Sequence, residues 1–353
     1  MKPLEILQKN HDLHLHSRDY SDGKHTMLET ARYAARYQQN PRWVGISDHS
    51  GSIIQRLMRA GKLPGGHEHG YPDDFSGYTE RVREVDETLK GDGLRVLAGI
   101  EQEWGIGGPR NIPQELSQLD YIITAYHQRR LTTPYALETY YYEMACHPTS
   151  DIAAHPGWFT GCADPAAIPW QKIFRDLADH AVLCEYNLTT PLPPAAFEIA
   201  VNTRNLIFTI GSDLHDFRQN STLRICSAWS ETNGGGFSAA RGYLNDLVNL
   251  TFPAQPAREL QSTFASIDLL TDLESRLYNY SLGRSTAEVA FSALEWKLVQ
   301  YLDQLPWYEL DDRFIQTRLA RFADLPEERI ASLLPIADFL ALIARNRRAR
   351  ASR

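Results

Sequence analysis

Seven short apolar runs alternate with segments of helical period along the first two thirds of the chain. The runs span 11–16, 42–47, 94–101, 120–126, 151–155, 181–187 and 206–212, and helical spacing fills 26–39, 77–90, 134–145 and 170–180 between them. Alternating βα units of this kind imply a parallel sheet. Such a sheet must bury both faces, so it either closes into a barrel or lies open between two helical layers. The chain has 353 residues, enough for about two domains. From about Gly242 the β-type signal ends and helical periodicity takes over. The expected organisation is therefore a barrel over 1–250 and a helical extension over 251–353, with Pro253 and Pro256 at the boundary. Short terminal helices packing on the barrel exterior fit the same pattern.

Acidic residues outnumber Lys plus Arg, 44 to 36, for a net charge of −8. A whole-surface positive field is thereby excluded, which argues against long polynucleotides as partners. No run is apolar and long enough for a signal or membrane span, so no membrane partner is expected and the cytoplasm is the default location. The four cysteines, Cys146, Cys162, Cys184 and Cys226, form no CxxC pair and read as reduced, mostly buried thiols. The five arginines between Arg345 and Arg353 read as a solvated terminus.

The chemistry is concentrated at the carboxyl ends of the runs. His14 and His16 are two apart on the first, so both leave the same face and can reach one ion. Asp213 and His215 repeat the spacing after the seventh. Asp48 and His49 follow the second, Glu101 ends the third, His127 follows the fourth and His155 ends the fifth. Only the sixth, with Glu185 and Asn187, offers no evident ligand. A parallel β/α barrel gathers strand ends into one concave rim, where such residues would meet.

The segments DLHLHSRDYSDG, GISDHS, AGIE, AYH, AAHPG, CEYN and IGSDLH, in that order over roughly residues 11–220, resemble the motifs of the PHP (polymerase and histidinol phosphatase) superfamily. The resemblance implies an α/β fold, a distorted seven-stranded TIM-like β/α barrel, holding two or three divalent ions of zinc, iron or manganese and hydrolysing phosphate esters. It assigns one ion to His14, His16, Glu101 and Asp213, a second to Glu101 as a bridge with His127 and His155, and a third to Asp22, His49 and His215. Glu101, Asp213 and His215 then carry the catalytic centre. Asp48 becomes a carboxylate that fixes an imidazole tautomer.

Three carboxylates against three divalent ions leave a locally positive pocket that would attract a phosphate dianion. A bridging water acidified by two ions would supply the attacking hydroxide at neutral pH. Arg18, Arg129, Arg130 and Arg218 neighbour the motifs and are candidates for the phosphate oxygens, Arg18 and Arg218 foremost. The expected activity is a phosphatase of the histidinol-phosphatase kind acting on a small phosphorylated metabolite. A phosphodiesterase or nuclease could use the same centre on nucleotides or short oligonucleotides. An amidohydrolase is a further reading, although such enzymes place a carboxylated Lys where Glu101 stands, and so is a non-catalytic metal-stabilised domain. His67 and His69, in a Gly-rich segment (62–77) that could act as a lid, read as solvated, and His11, His25, His147 and His180 as structural.

Overall fold

The computed structural model describes residues 12–23, 25–35, 42–51, 76–104, 118–126, 133–156, 167–188, 190, 192–215, 241, 244–245, 248–249, 252–281, 289–304 and 320–353. Seven strands form one sheet in sequence order, and every pairing is parallel. They are β1 (Asp12–Leu15), β2 (Arg42–Ile46), β3 (Leu94–Glu103), β4 (Tyr121–Ala125), β5 (Ile152–Ala153), β6 (Leu183–Asn187) and β7 (Phe208–Gly211). The helices between them are α1 (Met27–Ala35), α2 (Ser76–Lys90), α3 (Pro134–Cys146), α4 (Trp170–Asp179) and α5 (Pro194–Asn202).

The sheet curls until its edges nearly meet. Leu15 bridges Leu214 in parallel, His16 N donates to Leu214 O at 2.9 Å, and Asp213 N donates to His14 O at 2.8 Å. Asp12 reinforces the seam, accepting from the backbone N–H of His14 at 3.2 Å and of Ser212 at 2.9 Å. The result is a distorted α/β barrel, the closed form of the two that βα alternation allows.

The barrel interior is filled by Tyr121. Its hydroxyl donates to Leu13 O at 2.6 Å, and a Cβ at Gly45 or Gly99 would collide with its ring. Glycine is thus required on β2 and β3 because an aromatic side chain from β4 crosses there. β5 is the shortest strand, and a carboxylate fixes its start: Asp151 accepts from Ile122 N at 2.9 Å.

Chain contacts divide the molecule into two compact units, 1–215 with 318–353, and 216–317. The final helix, α9 (Ile336–Ala351), therefore belongs to the barrel unit. It buries Phe339, Leu342 and Ile343 in one cluster with Leu13, Trp43 and Tyr121, and its Phe339 ring lies 4.9 Å from Trp43. The basic terminus is not the solvated tail expected from its charge. Arg347 Nε reaches Asp151 at 3.0 Å and Arg350 Nη2 reaches it at 2.7 Å, while Arg350 Nη1 donates to Ala181 O at 2.9 Å. Charge composition alone concealed this, because the partner carboxylate lies almost 200 residues away. Just before α9, Ser332 Oγ accepts from Ile210 N at 2.8 Å and Arg329 donates to the carbonyls of Val201, Thr203 and Leu206.

The second unit has its own core. Helices α6 (Ala254–Ser262), α7 (Ile267–Ser281) and α8 (Ala293–Gln304) bury Leu260, Phe264, Leu273, Leu277, Leu298 and Val299 together. Arg276 grips Glu295 through both guanidinium nitrogens at 2.8 and 2.9 Å, tying α7 to α8. No helix among the described residues is long and apolar enough to cross a membrane.

Candidate metal centre

Eight of the nine side chains singled out from sequence are described, and they converge at the carboxyl ends of the strands. His127 lies outside the described residues, as do Arg129, Arg130, Arg218, His67, His69 and the rest of the Gly-rich segment to residue 75.

Glu101 is the hub. Its Oε2 lies 3.3 Å from His14 Nε2, 3.4 Å from His16 Nε2 and 2.9 Å from His49 Nδ1, and its Oε1 lies 3.0 Å from His155 Nε2. Asp213 Oδ1 faces the same two nitrogens from the other side, 3.5 Å from His14 and 3.2 Å from His16. His14 Nε2 and both ring nitrogens of His16 are fully buried yet make no aligned hydrogen bond. Each of the two imidazole Nε2 atoms thus stands 3.2–3.5 Å from both carboxylates without bonding either, and the His14, His16 and Asp213 donor atoms all lie within 4.8 Å of one another. Ligands bound at about 2.0–2.1 Å around a tetrahedral ion are separated by about 3.3–3.4 Å, so the spacing fits a shared cation better than hydrogen bonding.

A second, more open group adjoins it. Donor atoms of His16, Asp22, His49 and His215 all lie within 4.8 Å of one another. Asp22 Oδ1 is 3.3 Å from His215 Nε2 and 3.6 Å from His49 Nε2. The His16 ring stacks between those of His215 and His49, with centroids 4.1 and 4.4 Å away. Ser21 sets this group locally, its hydroxyl donating to Asp22 at 3.1 Å and accepting from His49 N.

Two tautomers follow from the hydrogen bonds. His215 Nδ1 contacts the Asp213 carbonyl at 3.0 Å; a carbonyl only accepts, so Nδ1 carries a proton and the neutral ring has its lone pair on Nε2. His14 Nδ1 lies 2.7 Å from Glu185 Oε1, which in the neutral ring puts the lone pair on Nε2 in the same way. Glu185 is the residue that strand-end reasoning missed. Its other oxygen accepts from the backbone N–H of His155, so one carboxylate positions two histidines. The signal was available: along β6, residues 183, 185 and 187 share a face. A side chain at Gly211 would strike both the Glu185 carboxylate and His14.

Of the four described non-glycine residues with positive φ, two belong to this site. Asp213 sits at φ 57° and His155 at φ 20°, conformations that L-residues seldom adopt and that cluster at functional sites. At His155 the turn has a use. Strand alternation groups it with Ala153, away from the Ile152 and Ala154 face, and the bend lets Nε2 reach Glu101 instead.

The expected role of Asp48 is corrected. Its carboxylate accepts from Ser17 N and, at 2.6 Å, from Ser17 Oγ, so it anchors the turn after β1 rather than an imidazole. Its backbone O accepts from Glu101 N at 3.1 Å. Arg18 is exposed. Cys184 is buried as expected, whereas Cys146 is exposed, and Cys162 and Cys226 lie outside the described residues.

The electrostatics are those of a crowded cationic site. Burial favours neutral Asp213, but His14, His16, His215 and His155 outweigh it and hold its carboxyl well below the usual range. Burial also opposes protonation of His49, yet Glu101, Asp22 and Asp213 together raise it to about 9. His16 goes the other way: burial and then its neighbours His215 and His49 keep it neutral.

No family model and no curated protein matches the sequence. Among solved structures the chain is similar to histidinol phosphate phosphatase from Lactococcus lactis, described as a complex with zinc, L-histidinol and phosphate. Identity is 14%, the match covers 59% of this chain and 86% of that one, and the TM-score is 0.39.

Proposed function

We propose that this protein is a metal-dependent phosphoesterase, a phosphatase acting on a small phosphorylated metabolite. The observation that carries the reading is the convergence of His14, His16 and Asp213 donor atoms within 4.8 Å, with Glu101 3.3–3.4 Å from both imidazoles, in a buried site where three imidazole nitrogens make no aligned hydrogen bond. Its support in sequence is the ordered motif set with its resemblance to the PHP superfamily.

In this reading His14, His16, Glu101 and Asp213 hold one divalent ion. Glu101, His155 and the sequence candidate His127 would hold another. Asp22, His49 and His215, next to His16, hold a third. Bound zinc, iron or manganese supplies Lewis acidity for phosphate charge and lowers the pKa of water. The chain's own residues do the remainder. Glu185 orients His14 and the backbone of His155, and the Asp213 carbonyl orients His215. Asp22 is the most exposed of the described donors, which suits a contact with incoming substrate. Arg18, with Arg129 and Arg218, is assigned to the phosphate oxygens, as a bidentate donor suits them.

The test is a phosphomonoester panel on metal-supplemented protein beside bis(p-nitrophenyl) phosphate. The reading expects inorganic phosphate release from monoesters, abolished by chelation and by Asp213→Asn. Turnover of the diester alone would replace phosphatase by phosphodiesterase. No turnover of either by fully loaded protein would end the phosphoesterase reading. Arg18→Ala should raise KM with metal content unchanged.

A further inference from the structure

A second chemically competent pair lies at the far end of the barrel, where α3 and α4 finish and β5 and β6 begin. Cys146 is the last residue of α3 and is exposed. Its Sγ lies 3.4 Å from His180 Nε2, on the residue that caps α4. His180 Nδ1 meets Asp176 O at 2.8 Å. Because that carbonyl only accepts, Nδ1 carries the proton, and in the neutral ring Nε2 is an acceptor aimed at the thiol. A nucleophile, a base within reach and a third group orienting the base together make the arrangement of an activated nucleophile.

The surroundings leave the sulfur accessible. Tyr142, one turn earlier on α3, stands edge-on to the His180 ring, with centroids 6.1 Å apart. Lys172 Nζ lies 5.1 Å from the Tyr142 ring centroid and pairs with Asp176 at 2.7 Å and Glu138 at 3.5 Å. Cys184 offers the contrast: it is buried on β6, burial pushes its thiol up, and no histidine accompanies it in its one described contact, to the Glu185 carbonyl.

We propose that Cys146 and His180 form a reactive thiol site that exchanges with low-molecular-weight disulfides. The Cys146 Sγ–H proton passes to His180 Nε2 as Sγ attacks one sulfur of the disulfide. A bond forms between Sγ and that sulfur, the old S–S bond breaks, and its electron pair leaves on the second sulfur, which takes the proton as a free thiol. Cys146 is oxidised to a mixed disulfide and the small disulfide is reduced by the same two electrons.

The experiment uses the reduced, full-length protein as purified, with 5,5′-dithiobis(2-nitrobenzoate) as probe. The fastest thiol phase should vanish in Cys146→Ser. In His180→Gln it should slow about fivefold or more at pH 7 and match the wild type at pH 10, where an ordinary thiol, with a pKa of about 8.5, ionises without a base. Persistence of that phase in Cys146→Ser, an unchanged rate in His180→Gln at pH 7, or equal slowing at both pH values would overturn the proposal. Should His180→Gln fail to fold, peptide mass spectrometry of the wild type after incubation with glutathione disulfide decides. The mixed disulfide is expected on Cys146 ahead of any other cysteine, and its absence there overturns the site.

Discussion

At the residue scale the candidate centre depends on carboxylates doing different work in similar burial. Glu101 faces four imidazoles, whereas Glu185 stands behind them and holds one ring and one backbone N–H. Glu185→Gln should leave the fold intact and weaken divalent-metal binding by about 10- to 100-fold, read by competition against a chromophoric chelator. Unchanged affinity would remove Glu185 from the centre. Asp48 makes a pH prediction with a definite sign. Burial raises its carboxyl from 3.8 to about 7, despite the Ser17 donors and nearby His49 that favour its ionised form. Between those values the folded chain keeps a proton that the unfolded chain releases. This group's contribution to stability is therefore fully present below about pH 4 and is lost as pH rises through 7. Asp48→Asn, which can still accept from Ser17 N, should flatten that part of the Tm-against-pH curve, and an identical curve would contradict the assignment.

At the scale of elements, β5 is the shortest of the seven strands and is braced at both ends. It has two residues, yet it delivers His155, and it is held at its start by Asp151 and just beyond its end by Glu185 acting on His155 N. Asp151 in turn is gripped by Arg347 and Arg350 of α9. Removing both cations leaves a buried carboxylate uncompensated, a loss on the order of 3–5 kcal/mol. Arg347→Ala/Arg350→Ala should accordingly lower the thermal midpoint by several degrees in a circular-dichroism melt, and an unshifted midpoint would mean that α9 is not braced through Asp151. These contacts explain what the sequence could and could not disclose. The seven strands were legible because apolar runs and helical spacing are local signals, and the metal-capable residues because they sit at the ends of those runs. The bracing was not legible. Asp151, Arg347, Glu185 and Tyr121 act on partners 30 to about 200 positions away, and nothing in their immediate neighbours specifies the pairing.

At the scale of the whole molecule, the barrel assembles donors from positions 14 to 215 into one site, while residues 216–317 form a separate unit around their own core. Barrel closure does this: β1 contributes His14, the residue following that strand is His16, the segment after β7 contributes Asp213 and His215, and the seam between them brings the two pairs together. The claim beneath the functional reading is that these donors share cations. Elemental analysis of the purified, metal-supplemented chain beside Glu101→Gln measures it directly. The expected result is at least one tightly held divalent transition ion per wild-type chain, lost from a variant whose circular dichroism is unchanged. A wild type that stays metal-free, or a variant that retains the full complement, would contradict the account.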